Sequence, residues 1–193
     1  AITLEGSGID NVGDLKGKKV GVGAPGSGTE VNARQILYAY GLSYDDIEED
    51  FLSYSEAVEQ MKNGAIDAAF LTSGIPNAAI MDLATTKDVK IITIEKSKVE
   101  ALASDYPFYS SELIPADTYG NAEPVETAAV MTLLVTRAEL SDDTVYDITK
   151  AIFENLDSMA ETHASGKKIK LENVKIGMPI PLHPGAEKYF NEK

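Results

Sequence analysis

Residues 19–30, KVGVGAPGSGTE, join a short apolar strand, a glycine-rich turn and the start of a helix. Glycines in such a turn let backbone N–H groups face a ligand, and the first turn of a helix adds unpaired donors at the positive end of its dipole. The segment therefore predicts a site for a negatively charged group. Ser27 and Glu30 also match a capping box, in which the Glu30 side chain reaches back to Ser27. A capped helix without a ligand is the alternative interpretation.

A second turn of small and polar residues follows another predicted strand. Residues 66–71, IDAAFL, predict the strand, and residues 72–76, TSGIP, come directly after it. Pro76 suits the first turn of a helix that is predicted to run to about Ala84. Because ligands bind at the carboxyl ends of strands in parallel sheets, the two turns together indicate a binding site more strongly than either alone.

The elements that position these turns alternate between strands and helices. Strands are predicted at 20–23, 51–54, 66–71 and 89–94. Helices are predicted at 29–40, 55–63 and 96–105, besides the one that begins near Pro76 and runs to about Ala84. Gly41 is predicted to end the first helix. Alternation at this spacing predicts an α/β fold with a mostly parallel sheet flanked by helices.

The pattern is looser in the second half of the chain. Residues 106–120 predict an irregular connection rich in aromatic residues and proline, and residues 127–136, TAAVMTLLVT, predict a strand buried on both faces. Residues 164–183 predict irregular structure, and residues 185–191 predict a terminal helix. Ser141 is expected to cap a long helix, whose apolar stripe consists of Val145, Ile148, Ile152, Leu156 and Met159.

Composition excludes several kinds of partner and site. The chain has 193 residues, 44% of them hydrophobic, and a net charge of −14, which argues against nucleic acid or an anionic membrane as a partner. It has no cysteine, so a disulfide, a thiolate nucleophile and a Cys-ligated metal are excluded. No apolar run is long enough to span a bilayer, and residues 1–5 lack the features of a signal peptide.

The glycines of the first turn also match the dinucleotide fingerprint G-x-G-x-x-G at Gly21, Gly23 and Gly26. That site needs an acidic residue at the end of the next strand, but residues 48–50 precede the strand predicted at 51–54, and Pro25 interrupts the turn. A P-loop is disfavoured as well, because Thr29 stands where its lysine is required.

No catalytic residue, metal site or cofactor is predicted. His163 and His183 are expected to be capping or surface residues, because no nucleophile motif lies near them. The many carboxylates predict a solvated acidic face, and none pairs with a histidine at metal-ligand spacing. Binding without chemistry is the simplest interpretation.

Five aromatic residues could line a ligand cleft or fill the core, and core is the preferred interpretation for most of them: Tyr54, Tyr106, Phe108, Tyr109 and Tyr119. Tyr119 is the exception. It precedes the predicted buried strand, and its hydroxyl is expected to contact a ligand or cross between lobes.

Four segments together resemble one family: residues 8–37, 64–84, 145–157 and 177–190. They are similar to the TAXI family of extracytoplasmic solute receptors, the binding subunits of TRAP transporters. The resemblance covers almost the whole chain. It implies a periplasmic-binding-protein fold of type II, in which two α/β lobes are joined by a hinge. It also implies a periplasmic or extracytoplasmic location, with a lipid anchor as one option.

The resemblance implies a division of the chain as well. Residues 14–115 would form the complete second lobe, while residues 1–13 and 116–193 would form the hinge and the C-terminal part of the first lobe. The N-terminal half of that lobe would precede Ala1. The chain is therefore expected to be a truncated form, which self-association would stabilise.

The implied function is the capture of a small organic anion, such as glutamate, a related amino acid or a dicarboxylate, for delivery to the TRAP membrane subunits. A carboxylate would lie against the N–H groups of Ser27, Gly28 and Thr29, with the hydroxyls of Ser27 and Thr29 as further donors. The second turn would close the other side. The predicted ligand-binding set is Pro25, Gly26, Ser27, Gly28, Thr29, Thr72, Ser73, Gly74 and Tyr119.

No arginine clamp is evident, because Arg34 lies one turn into the helix and Arg137 follows the strand predicted at 127–136. Outside a capping box, Glu30 would place a like charge beside the anion or contact a ligand ammonium. Two other functions remain open: the effector domain of a transcriptional regulator, and a nucleotide- or phosphoribosyl-binding enzyme. The first needs a DNA-binding segment, and the second needs basic residues that neither turn contains.

Overall fold

The computed structural model describes residues 1–162 and 164–193, so the interpretation of His163 falls outside the described residues. The chain divides into two compact units, residues 1–129 and residues 130–193. The implied assignment of residues 14–115 to one lobe stays a prediction.

The first unit contains a five-stranded sheet. Its strands are β1 (Ile2–Leu4), β2 (Lys19–Gly21), β3 (Glu48–Asp50), β4 (Ala68–Ala69) and β5 (Val89–Ile91). Their order across the sheet is β3-β2-β4-β1-β5. β2 pairs in parallel with β3 and β4, whereas β1 is antiparallel to β4 and β5.

Helices connect these strands and end largely where local signals predict. They are α1 (Gly28–Ala39), α2 (Tyr54–Lys62), α3 (Ala78–Ala84) and α4 (Lys96–Asp105). The bounds of α1, α2 and α4 lie within one residue of the prediction. As expected, Gly41 ends α1 with a φ of 74°, a left-handed conformation that glycine adopts without strain. The predicted α/β fold, a mostly parallel sheet flanked by helices, is confirmed.

The core of this unit lies between the sheet and its helices. Val58 and Met61 of α2 and Ile80 and Leu83 of α3 are buried in one apolar cluster with residues from β1 and β5. Gly21 allows α2 to approach the sheet closely, since a Cβ atom there would lie 3.5 Å from the Cβ of Ala57.

One strand prediction in this unit is wrong. Residues 51–54 do not form a strand, because β3 is the acidic segment before them and Ser53 already caps α2. β3 lies at the sheet edge, with Glu48 and Glu49 exposed, so the usual apolar signal of a strand is missing there. The acidic residues thus form the strand rather than precede it, which removes one argument made against a dinucleotide site.

The predicted irregular connection at 106–120 contains β6 (Tyr109–Ile114), which pairs with β7 (Val125–Val130) in a separate two-stranded sheet. The strand predicted at 127–136 is therefore wrong in both extent and burial. Beyond Val130 the chain leaves the strand, and Leu134 and Val135 are 79% and 65% exposed. A continuous apolar strand is buried on both faces only where other elements pack against each face.

The second unit consists of helices and 3-10 turns: α5 (Asp142–Phe153), α6 (Leu156–Thr162) and α7 (Pro184–Asn191), with 3-10 turns at Ala164–Lys168 and Leu171–Asn173. Ser141 caps α5 as predicted, since its Oγ accepts the N–H of Thr144 at 3.2 Å. His183 caps α7 as predicted, because its Nδ1 accepts the N–H of Gly185 at 3.2 Å.

The single long helix predicted after Ser141 is wrong, since α5 ends at Phe153 and α6 starts at Leu156. The interruption breaks the expected stripe, and Ile148 and Met159 are exposed while Val145 is buried. The buried face of α5 packs on α7, where a Cβ at Gly185 would lie 2.2 Å from the carbonyl oxygen of Asp142.

Candidate functional site

Three neighbouring parallel strands place their carboxyl ends at one edge of the sheet. β3 leads to the start of α2, β2 leads to the glycine-rich turn and α1, and β4 leads to residues 70–77. Because the strands lie side by side in the order β3-β2-β4, the segments that follow them meet there. The structure thus brings the two predicted turns together at the expected edge.

The glycine-rich turn is folded tightly against the start of α1. Gly23 and Gly26 have φ values of 97° and 69°. A Cβ at Gly23 would lie 2.8 Å from the Cβ of Thr29 and 3.0 Å from the backbone nitrogen of Glu30. Glycine at position 23 is therefore required both for its backbone conformation and for this close approach.

At the start of α1, two backbone donors have no partner among the residues that the structure describes. The N–H of Ser27 donates to the carbonyl oxygen of Ala24 at 3.0 Å, and the Ser27 Oγ accepts the N–H of Glu30 at 3.2 Å. The N–H groups of Gly28 and Thr29 have no acceptor among the described residues. An anion at this helix start would meet these two groups rather than the N–H of Ser27.

Glu30 does not complete the predicted capping box. Its Oε1 accepts the hydroxyl of Tyr44 at 2.9 Å and lies 3.5 Å from Nε of Arg34. Burial raises the pKa of Tyr44 above its usual value, and the hydrogen bond to Glu30 raises it further. The Glu30 carboxylate therefore pairs with Arg34 and accepts a hydrogen bond from Tyr44, and the predicted return of its side chain to Ser27 is wrong.

The second turn does not open a helix as predicted. α3 begins at Ala78, and the Oδ1 of Asn77 accepts the N–H groups of Ala79 at 2.9 Å and Ile80 at 3.2 Å. Pro76 precedes this cap and follows a cis peptide bond. Because the Asn77 side chain already accepts these two N–H groups, they are not available to a ligand. The second turn therefore contributes its own side chains to the candidate site rather than the start of a helix.

The Tyr54 side chain joins the two turns. Its hydroxyl lies 2.8 Å from the Oγ of Thr29 and donates to the carbonyl oxygen of Thr72 at 2.5 Å. Thr29 is 5% exposed and Thr72 is half-buried. The other predicted site residues of these turns are accessible: Ser27 is partly exposed, and Pro25, Gly26, Gly28, Ser73 and Gly74 are exposed.

Tyr119 is held inside the first unit. It is 4% exposed, packs in the apolar cluster that contains Ile80, and accepts the N–H of Asn77 at 2.7 Å. Burial raises its pKa. Its hydroxyl thus supports the start of α3, next to the second turn.

A family model, that of the NMT1-like family, matches residues 1–193. The chain belongs to the NMT1-like family. Among solved structures, it is similar to the periplasmic aliphatic sulphonate binding protein SsuA from Escherichia coli, with a TM-score of 0.52 and 18% sequence identity. The match covers 100% of this chain and 54% of that protein, so the chain spans about half its length.

At this level of identity the likeness to the sulphonate-binding protein shows the fold, which is that of a periplasmic binding protein. Within residues 1–162 and 164–193, no helix is long and apolar enough to cross a membrane.

In this NMT1-like chain, sequence reasoning missed a row of polar side chains beside Thr72. Asn32 Nδ2 donates to Thr72 Oγ at 3.1 Å, and the Tyr109 hydroxyl lies 3.0 Å from Asn32 Oδ1 and 2.7 Å from Gln35 Oε1. Burial raises the pKa of Tyr109. The available signal was the spacing of Asn32 and Gln35, which places both amides on one face of α1.

Acidic residues are abundant in this NMT1-like chain. Across the described part of the chain, no group of three or more His, Asp or Glu side chains is arranged to hold a metal ion. The chemistry available at the sheet edge is therefore hydrogen bonding by backbone N–H groups, hydroxyls and amides.

Proposed function

We propose that this chain is part of the extracytoplasmic solute receptor of a TRAP-type secondary transporter, of the TAXI family. The receptor captures a small organic anion, such as glutamate, a related amino acid or a dicarboxylate, and delivers it to the TRAP membrane subunits. Three findings support the proposal: the four family-like segments, membership of the NMT1-like family and the periplasmic-binding-protein fold.

One observation carries the ligand class. Gly28 and Thr29 present two N–H groups that have no acceptor in the described part of the chain, at the start of α1, where the helix dipole favours a negative charge. The second turn lies next to them, because the Tyr54 hydroxyl contacts both Thr29 and Thr72. A carboxylate needs donors of this kind. A sulphonate has the same requirement, which makes the ligand class of the related sulphonate-binding protein a useful probe.

The anion is bound by neutral donors. Residues 22–29 and 71–77 contain no Lys or Arg, and Arg34 is engaged with Glu30. The proposed ligand-binding set remains that expected from the sequence, with Tyr119 as a supporting residue: Pro25, Gly26, Ser27, Gly28, Thr29, Thr72, Ser73, Gly74 and Tyr119.

In the complete receptor, a ligand that contacts two lobes favours the closed state, because it binds that state more tightly than the open one. The closed receptor then docks on the membrane subunits. In this scheme, residues 14–115 supply the second lobe.

The test is calorimetric and thermal-shift titration of the purified full-length protein with L-glutamate, succinate and methanesulfonate. At least one of these anions is expected to bind and to raise the unfolding temperature. A response only to a nucleotide or a neutral sugar would contradict the proposal.

Gly28 offers a matched pair of variants for locating the anion. Gly28→Pro deletes one unpaired N–H, and proline is favoured at the first position of a helix, here after a Ser27 whose ψ of 160° suits a following proline. Gly28→Ala keeps the N–H, and its Cβ would have nothing within 4 Å. We expect Gly28→Pro to weaken anion binding roughly tenfold, with a smaller effect for Gly28→Ala. Equal affinities would place the anion elsewhere.

A further inference from the structure

The direction of the hydrogen bonds around Tyr54 follows from counting protons. A tyrosine hydroxyl has one proton to donate, and a backbone carbonyl oxygen has none. The Tyr54 oxygen lies 2.5 Å from the carbonyl oxygen of Thr72, so the Tyr54 proton must lie between these two atoms. Two oxygen atoms at that distance without a proton between them would repel each other.

The proton in the second bond of Tyr54 therefore comes from Thr29. The Thr29 Oγ lies 2.8 Å from the Tyr54 oxygen, which can only accept there because its own proton is already used. Thr29 has a single hydroxyl proton, and that proton is donated in the hydrogen bond to the Tyr54 oxygen. A carboxylate ligand, which only accepts hydrogen bonds when ionised, receives none from this hydroxyl.

Resting on the proposed function, we infer that the Thr29 side chain is a positioning residue rather than a ligand donor. Its hydroxyl orients Tyr54 toward the Thr72 carbonyl and so holds the second turn beside the unpaired N–H groups of α1. The backbone N–H of Thr29 still faces the anion. Ser27 keeps its hydroxyl proton, because its Oγ only accepts from Glu30, and it remains the side-chain donor of the first turn.

A double-mutant cycle in anion affinity tests this assignment. Thr29→Val and Tyr54→Phe each remove the bond between the two hydroxyls. If Thr29 acts through Tyr54, then Thr29→Val weakens binding in the wild-type background but changes it less than about twofold in the Tyr54→Phe background. Thr29→Ser, which keeps the hydroxyl, is expected to restore wild-type affinity.

The opposite result has a distinct signature. If the Thr29 hydroxyl donates to the ligand, Thr29→Val costs about tenfold in both backgrounds, and the two losses multiply. Losses that multiply, or failure of Thr29→Ser to restore binding, would overturn the positioning role while leaving the receptor function in place.

The wild type, Thr29→Val, Tyr54→Phe and the double variant are also compared by urea unfolding without ligand. This comparison tests the hydrogen bond between the two hydroxyls alone. The two substitutions are expected to be non-additive in stability, because each removes a partner of the same bond. Additive effects would overturn the inference. Failure of the wild-type protein to bind any of L-glutamate, succinate or methanesulfonate would instead contradict the proposed function, and the positioning role would fall with it.

Discussion

The hydroxyl of Tyr54 donates a hydrogen bond of 2.5 Å to the carbonyl oxygen of Thr72. This bond links the first residue of α2 to the segment that follows β4, although the rest of α2 and all of β4 lie between Tyr54 and Thr72 in the chain. It fixes the position of the second turn through a side chain that belongs to neither turn.

Tyr54→Phe is expected to lower the free energy of unfolding by about 1 to 3 kcal/mol, because it leaves the buried Thr29 hydroxyl and the Thr72 carbonyl without their partner. Urea unfolding followed by circular dichroism measures the change. Tyr38→Phe is the control, since Tyr38 is 77% exposed and is expected to change stability by less than about 0.5 kcal/mol. Equal effects of the two substitutions would contradict the role of Tyr54.

A glycine series in the first turn separates backbone strain from steric clash. Gly23→Ala is expected to lower the free energy of unfolding by about 2 to 4 kcal/mol, because the position has a φ of 97° and the new Cβ would lie 2.8 Å from the Cβ of Thr29. Position 26 has a φ of 69°, but a Cβ there would have nothing within 4 Å. We therefore expect Gly26→Ala to lower the free energy of unfolding by about 1 to 2 kcal/mol. Gly28→Ala has neither problem and is expected to be nearly neutral.

The order of the three losses is the informative result, measured by thermal or urea unfolding. A loss at Gly26 equal to that at Gly23 would mean that the close approach to Thr29 does not contribute. A large loss at Gly28 would contradict its assignment as the first helical residue.

Tyr119→Phe is expected to cost about 1 to 3 kcal/mol of stability, since it removes the acceptor of the Asn77 N–H. The ring stays in the apolar cluster, so the core is preserved. Ligand affinity is expected to fall less than it does in Gly28→Pro, because the Tyr119 hydroxyl is already bonded to the backbone. A larger loss of affinity with unchanged stability would make Tyr119 a direct ligand contact.

The cap of α2 predicts a pH dependence. Hydrogen bonds from the Ser53 hydroxyl and the Ser53 N–H lower the pKa of Glu56 below its usual value. The unfolded state therefore binds a proton at higher pH than the folded state does. The stabilisation is complete above about pH 4.3, the unfolded pKa, and is lost as the pH falls through the folded pKa.

Glu56→Gln tests this effect in urea unfolding at pH 7 and pH 3. The stability difference between the wild type and Glu56→Gln is expected to be larger at pH 7 and to shrink at pH 3. Glu123→Gln controls for net charge, because the Glu123 carboxylate accepts no hydrogen bond from any residue that the structure describes. A difference that grows toward pH 3 would contradict the assignment.

Local signals predicted the helices of the first unit well. Ser27 caps the start of α1, and Gly41 ends the helix. Each of these signals involves residues only a few positions apart, so a short window of sequence contains it. The acidic β3 was missed, because an edge strand needs no apolar alternation. The start of α3 was misplaced, since Asn77 rather than the preceding small residues provides its cap.

The proximity of the two turns was predicted correctly, but the contacts between them were not. Both turns follow parallel strands, and the carboxyl ends of neighbouring parallel strands lie at the same edge of a sheet. The hydrogen bonds among Tyr54, Thr29 and Thr72 join segments that are distant in sequence, and no local pattern encodes them. The same holds for Tyr109, whose partner Asn32 lies on another element.

The antiparallel β1 has a consequence for how the fold is reached. Ile2 pairs with both Ala69 and Ile91, so the strand nearest the start of this sequence lies between two strands that come much later. Such pairing requires long loops to close before any stabilising contact between the strands forms, and this slows folding. During synthesis, β1 stays unpaired until Ala68–Ala69 of β4 has left the ribosome, and β5 then completes the sheet at its edge.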